Sequence, residues 1–292
     1  MLRYLISLFL FISITITVSN PVRGEVLTGS GLVDVPTGRV LQHGIFEAGT
    51  YLGFRQATTD GSTANLADAV AVRLNFGLFD RLEVGLAHLW DENDPDATVA
   101  RTANLKLLLL KEGESGVVPG VAIGVERLGN TIFSSDADAE AGEMPSAFCA
   151  VSKTFNLPRV HLFSLHVGVG TQRFAFEESP IGVFAGLSKE FRPAFARGDI
   201  AMRLEFDGSG VNAGLQYITA SGLQIAFGAK TLNNPDELRY LAAVSWTNEQ
   251  MLEQINETKR LIRRATELVV ETKRAISEKK EADKATETPS AQ

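Results

Sequence analysis

The 292-residue chain carries 28 Lys plus Arg against 35 Asp plus Glu, 45% apolar residues, 26 Gly, 17 Phe and one Cys. Its mean hydropathy of +0.04 excludes a multi-helix membrane protein, in which each span needs roughly 20 mostly apolar residues; it leaves open a membrane β-barrel, whose strands alternate apolar and polar side chains. The lone Cys149 excludes an intramolecular disulfide and a Cys-rich metal site, and the net charge of −7 argues against a nucleic-acid partner.

The first residues, MLRYLISLFLFISITITVSNPVRG, place Arg3 before an apolar run from Leu5 to Val18 and small residues before Glu25. This is the pattern of a secretory signal peptide over residues 1–24, the alternative being an uncleaved anchor. Residues 25–43 then read as a pre-barrel segment.

From Gly44 to Trp246 apolar and polar residues alternate in stretches of about ten, separated by Gly, Asp, Asn, Pro and Ser clusters. The alternation predicts twelve strands near 44–55, 68–79, 81–91, 100–111, 117–127, 145–156, 160–172, 180–191, 197–208, 211–220, 222–231 and 237–246. In DIAMRLEFD, Ile200, Met202, Leu204 and Phe206 share one face while Ala201, Arg203, Glu205 and Asp207 share the other. Alternation alone fits a soluble sandwich as well as a membrane barrel. Strand lengths near those of tilted bilayer spans, an even strand number, the signal sequence and unequal connections favour the barrel. Short turns are expected at 77–81, 156–160, 207–211 and 220–222, and longer loops at 55–68, 128–146 and 173–180. The fold class expected is therefore an antiparallel transmembrane β-barrel of about twelve strands, with the outer-membrane lipid as its surroundings. Trp246 ends the last strand, either as an interfacial aromatic or as an ordinary core residue.

Composition changes at Thr247, after which no Gly occurs. Thr247 or Asn248 is placed to cap an amphipathic helix over 247–282, and 283–292 reads as a disordered tail. Ile255, Ile262, Val269 and Ile276 recur every seven residues, with Leu261 and Leu268 widening the stripe. That face can serve a coiled-coil homo-oligomer, a periplasmic protein partner or packing on the barrel itself; a plain spacer is the further alternative. With an even strand number both termini lie in the periplasm.

No catalytic constellation, metal site or cofactor motif emerges, so a non-enzymatic protein is expected. The four His are dispersed, and the acidic stretches 91–97 and 136–143 read as solvated loops rather than Ca²⁺ sites. The candidate lumen-facing residues are Arg73, Asn75, Lys106, His166, Arg203, Glu205, Asn212, Gln216 and Lys230. They line either a polar passage or an internally paired network that closes a small barrel.

Two islands carry a resemblance. Gly31, Leu32, Pro36, Thr37, Arg39 and Gly44 in GSGLVDVPTGRVLQHGIFEAGTY, and Glu205, Phe206, Asp207, Gly208, Asn212, Gly214 and Tyr217 in LEFDGSGVNAGLQY, resemble segments of the YjbH-like family of outer-membrane barrels. The resemblance implies association with exopolysaccharide production, hence a barrel assisting export of polysaccharide or passage of small solutes. The alternative is a scaffold acting through its helix. Pro36, Thr37 and Arg39 form a candidate plug, with Arg39 expected to pair with a barrel carboxylate.

Overall fold

A computed structural model describes residues 33–59, 62–91, 100–113, 117–128, 145–157, 161–176, 179–194 and 197–286. The expected signal peptide, the start of the pre-barrel segment, both acidic stretches apart from Asp91 and the last six residues lie outside them.

Twelve antiparallel strands close into one barrel: β1 (Phe46–Thr59), β2 (Ser62–Leu78), β3 (Leu82–Asp91), β4 (Ala100–Leu110), β5 (Gly120–Glu126), β6 (Ser146–Leu157), β7 (His161–Phe176), β8 (Ser179–Phe191), β9 (Gly198–Phe206), β10 (Val211–Thr219), β11 (Leu223–Lys230) and β12 (Arg239–Thr247). Each strand pairs with its sequence neighbours, and β1 pairs with β12 from Glu47↔Thr247 to Arg55↔Arg239, so no edge is left open.

The alternation resolves into two surfaces. Val72, Leu86, Leu107, Val167, Met202, Leu215 and Phe227 are exposed on the outside, whereas Arg73, Glu83, Lys106, His166 and Glu205 are buried within. A soluble protein would bury the first set and expose the second. Here apolar side chains cover the outside because lipid, not water, is the solvent there. Rings gather at the end where β1 begins and β12 finishes: Phe46 packs edge-on against Trp246 with centroids 5.3 Å apart, and Phe155 stacks on Phe163 at 5.4 Å. The Trp246 indole N–H donates to the Ser221 carbonyl at 2.8 Å. Such a girdle marks a membrane–water boundary.

Two expected loops are strand instead. β1 and β2 pair through to Thr59↔Ser62, and β7 continues to Phe176 opposite Ser179, so 55–68 and 173–180 are mostly hairpin. The polar composition of RQATTDGSTANLAD hides strand character, because backbone pairing continues where no apolar face is needed. The turn at 207–211 is tight as expected, but it lies at the end opposite the other three short turns. There Asp207 Oδ1 accepts from the Ser209 and Gly210 N–H groups, and Gly208 takes a left-handed φ of +101°.

Helix α1 (Glu249–Thr286) follows β12 directly and extends past the predicted end at 282. Thr247 Oγ1 accepts from the Glu249 N–H at 3.3 Å. Asn248 serves the barrel seam instead: its Oδ1 accepts from the Phe46 N–H at 2.9 Å and its Nδ2 donates to the Gly44 carbonyl at 2.9 Å. Ile255, Leu261, Ile262, Leu268, Val269 and Ile276 are all exposed.

Candidate functional site: a lumen occupied by its own chain

The segment 33–43 runs inside the barrel before the chain turns into β1. Val33, Asp34, Val35, Pro36 and Thr37 are buried, and Val35 packs against Phe148, Ala150, Phe174 and Phe184 from the inner wall. Glu205 on β9 holds the segment by its main chain: its carboxylate accepts from the Val33, Asp34 and Val35 N–H groups at 3.0, 2.7 and 3.2 Å. Asn212 steadies this carboxylate, donating to Glu205 Oε1 at 3.0 Å and Asp207 Oδ2 at 2.8 Å while accepting from the Thr231 N–H. The two sequence islands, 170 residues apart, thus meet in one cluster of hydrogen bonds.

Around this anchor lies a ring of charge. Asp34 pairs with Lys230 at 2.8 Å and Arg173 at 3.4 Å, and Arg173 also reaches Glu126 at 2.6 Å while lying 3.9 Å from the Phe174 ring centroid. Lys106 pairs with Glu83 at 3.5 Å, and Glu83 also accepts from the Leu41 N–H at 2.9 Å. Buried pairs like these gain little over apolar packing, but removing one member strands the other in a dry interior. They therefore fix where the segment lies more than they stabilise the fold.

Further along, Gly38 donates to Ser152 Oγ at 2.7 Å, and Ser152 and Ser188 engage the two ring nitrogens of His166 at 2.7 and 3.1 Å. A Cβ on Gly38 would meet the Gly120 carbonyl and the Ser152 backbone nitrogen, so only glycine lets the segment lie this close to the wall. Arg39 pairs with Glu112 at 3.0 Å and also donates to Thr154 and to Ser164. Its partner carboxylate lies in the loop after β4. Burial disfavours the charged Glu112, yet the Thr154 N–H and the Arg39 guanidinium outweigh it and hold the carboxyl below its ordinary value of 4.5. At the membrane boundary His43 donates its N–H to Asp80 at 2.8 Å and stacks on Phe79.

The structure places Arg73, Asn75, Lys106, His166, Glu205, Asn212, Gln216 and Lys230 in the interior, each no more than 8% exposed; Arg203 is partly buried and donates to Gln216. It draws Glu205 and Lys230 to the segment directly, Asn212 through Glu205, and His166 through Ser152. Sequence reasoning did not single out Asp34, Glu126, Arg173, Glu83, Glu112 or Ser152. Strand parity would have flagged Glu126, Glu83 and Ser152; Arg173 lay beyond the predicted end of its strand, and Asp34 and Glu112 lie outside strands, where parity says nothing.

No curated protein sequence matches this chain significantly. Among solved structures, an outer membrane channel from Pseudomonas putida F1 aligns at 17% identity over 74% of this chain and 99% of that one, with a TM-score of 0.42. A variant of OccD1 (OprD) aligns at 14% identity over 70% of this chain and 65% of that one, with a TM-score of 0.27. The sequence matches the family YjbH, described as exopolysaccharide biosynthesis protein YbjH, across residues 25–229, the stretch that holds the plug-like segment, Glu205 and eleven of the twelve strands. With more than half of its length matched, this outer-membrane β-barrel belongs to the YjbH family.

Proposed function

We propose that the protein is a passive, non-enzymatic conduit of the outer membrane that assists exopolysaccharide export or the passage of small solutes, gated by residues 33–43. The observation that carries this reading is the occupation of a polar lumen by a short segment held at its backbone by side-chain acceptors, Glu205 at Val33 to Val35 and Glu83 at Leu41. Apart from the apolar seat of Val35, the segment covers side chains suited to water rather than a continuous apolar core. Chain continuity ties the segment to β1 at the end bearing the helix, and the Glu205 carboxylate holds it at Val33, Asp34 and Val35. The family description supports a polysaccharide as the material moved.

Single-channel recording in planar bilayers tests this. Wild-type protein is expected to remain mostly closed, and Gly38→Val combined with Arg39→Ala to open for longer at higher conductance. Unchanged conductance together with unchanged export in cells would defeat the reading.

A second reading rests on the exposed heptad stripe of α1, which spans Ile255 to Ile276. In that reading the barrel is a membrane anchor, both chain ends face the periplasm, and the helix self-associates or recruits a periplasmic protein.

A further inference from the structure

The partners of segment 33–43 fix the direction in which it runs through the barrel. Odd-numbered strands run away from the end bearing α1 and even-numbered strands run back to it. Glu126, Glu205 and Lys230 therefore stand at the far ends of β5, β9 and β11. These groups take the upstream part of the segment. Glu205 accepts from the Val33, Asp34 and Val35 N–H groups, Lys230 pairs with Asp34, and Arg173, itself paired with Glu126, donates to the Asp34 carbonyl at 2.9 Å. By Leu41 the partners belong to the end that bears α1. The Leu41 N–H donates to Glu83 at the start of β3, the His43 N–H to Asp80 in the β2–β3 turn, and the Gly44 N–H to the Gly77 carbonyl at 3.1 Å, while Asn248 at the foot of α1 donates to the Gly44 carbonyl.

The segment thus crosses the lumen lengthwise, and the residues before Val33 continue from the end opposite α1. Val33 is seated at that end against β10, where a Cβ on Gly214 would come within 2.6 Å of one of its methyl carbons, and Val35 packs on Phe148, Phe174 and Phe184 of β6, β7 and β8. The long connection between Glu126 and Ser146 also lies at this end, whereas the short turns 78–82, 157–161 and 219–223 share the end of α1. Short turns mark the periplasmic side of such barrels and long loops the external side. With cleavage after Gly24, the eight residues 25–32 precede Val33, and they fall short of the eleven that the chain spends on the crossing.

We propose that the chain is threaded through its own barrel as a strap, continuous with β1 at the periplasmic end and latched by Glu205 and Asp34 at the external end, with residues 25–32 presented at the cell surface. This goes beyond the conduit reading and does not rest on it, since a barrel that passes nothing would be threaded in the same way. It departs from the anchor reading in placing the amino-terminal stretch on the face opposite α1. The latch then faces the exterior, so release of the strap begins at that side and not at its junction with β1.

The test is labelling of single cysteines in whole cells with a polyethylene-glycol maleimide too large to cross the outer membrane, read as a gain of mass on a gel. Cys149, the one native cysteine, is first replaced by Ala. Thr28→Cys then reports on the amino-terminal stretch and Glu267→Cys on the exposed surface of α1. Both positions lie outside the strands and outside 33–43, and a heat-dependent gel shift of each variant verifies a folded barrel. Thr28→Cys is expected to be labelled in intact cells as fully as after the outer membrane is permeabilised, and Glu267→Cys only after permeabilisation. Labelling of Thr28→Cys that requires permeabilisation, or its absence under both conditions, would overturn the proposal. So would labelling of Glu267→Cys in intact cells, because α1 would then face outward. Failure here leaves the conduit reading standing on the conductance of the Gly38→Val/Arg39→Ala barrel, and unaltered conductance there leaves the threading intact.

Discussion

Glu205 carries more of the lumen's organisation than any strand does. Three backbone N–H groups and the Asn212 amide converge on its two oxygens; without the carboxylate Asn212 keeps Asp207, whereas the three N–H groups lose this acceptor. Glu205→Gln replaces one acceptor by a donor aimed at those donors. The expected cost is about 3–5 kcal/mol, the range for breaking a buried charged cluster, read as an earlier loss of the folded gel band on heating. Glu112 gives a pH handle on the same segment. Its carboxyl is held below 4.5 in the fold, so the Arg39–Glu112 contact is intact above that value and lost as pH falls through the lower folded value. Channel opening should accordingly rise on acidification below 4.5, and Glu112→Gln should be open to the same extent at every pH. Strand parity made residues such as Arg203 and Gln216 legible in the sequence, because a period of two assigns faces without knowledge of the partner strands. It could not say that Glu205 grips main chain, since backbone N–H groups have no signature in the sequence.

At the scale of elements, the strands were legible where one face had to be apolar. In DIAMRLEFD the lipid requirement writes the alternation into the residues. In the β1–β2 hairpin beyond Arg55 it does not, and composition suggested a loop where the backbone ladder continues to Thr59↔Ser62. The helix shows the converse. Its heptad stripe is plain in the sequence and exposed in the structure, so the stripe declares an adhesive face without naming what covers it. Asn248 also changes where that helix can be cut. Because it ties Gly44 and Phe46 to the end of β12, removal of 247–292 would open the seam, whereas removal of 253–292 keeps it. The shorter deletion should leave barrel folding and conductance unchanged if the helix only recruits partners. If the protein self-associates through α1, sedimentation of the detergent-solubilised deletion should show a smaller species than wild type. An unchanged sedimentation coefficient would rule that association out.

At the scale of the whole molecule, closure and filling belong together. A barrel of this size leaves an interior that side chains alone do not occupy, and the polar wall prevents apolar collapse from filling it. Residues 33–43 supply the missing material, which is why the pre-barrel segment and β9–β10 carry the two islands of family resemblance although they lie far apart in the chain. The most direct test of this account is gel mobility of the protein extracted from the outer-membrane fraction, unboiled against boiled. A closed barrel resists detergent until heated, so the unboiled protein should run faster and shift to its full apparent mass on boiling. Recovery of the protein in the soluble periplasmic fraction, with no shift, would contradict the membrane barrel and with it the proposed gating by residues 33–43.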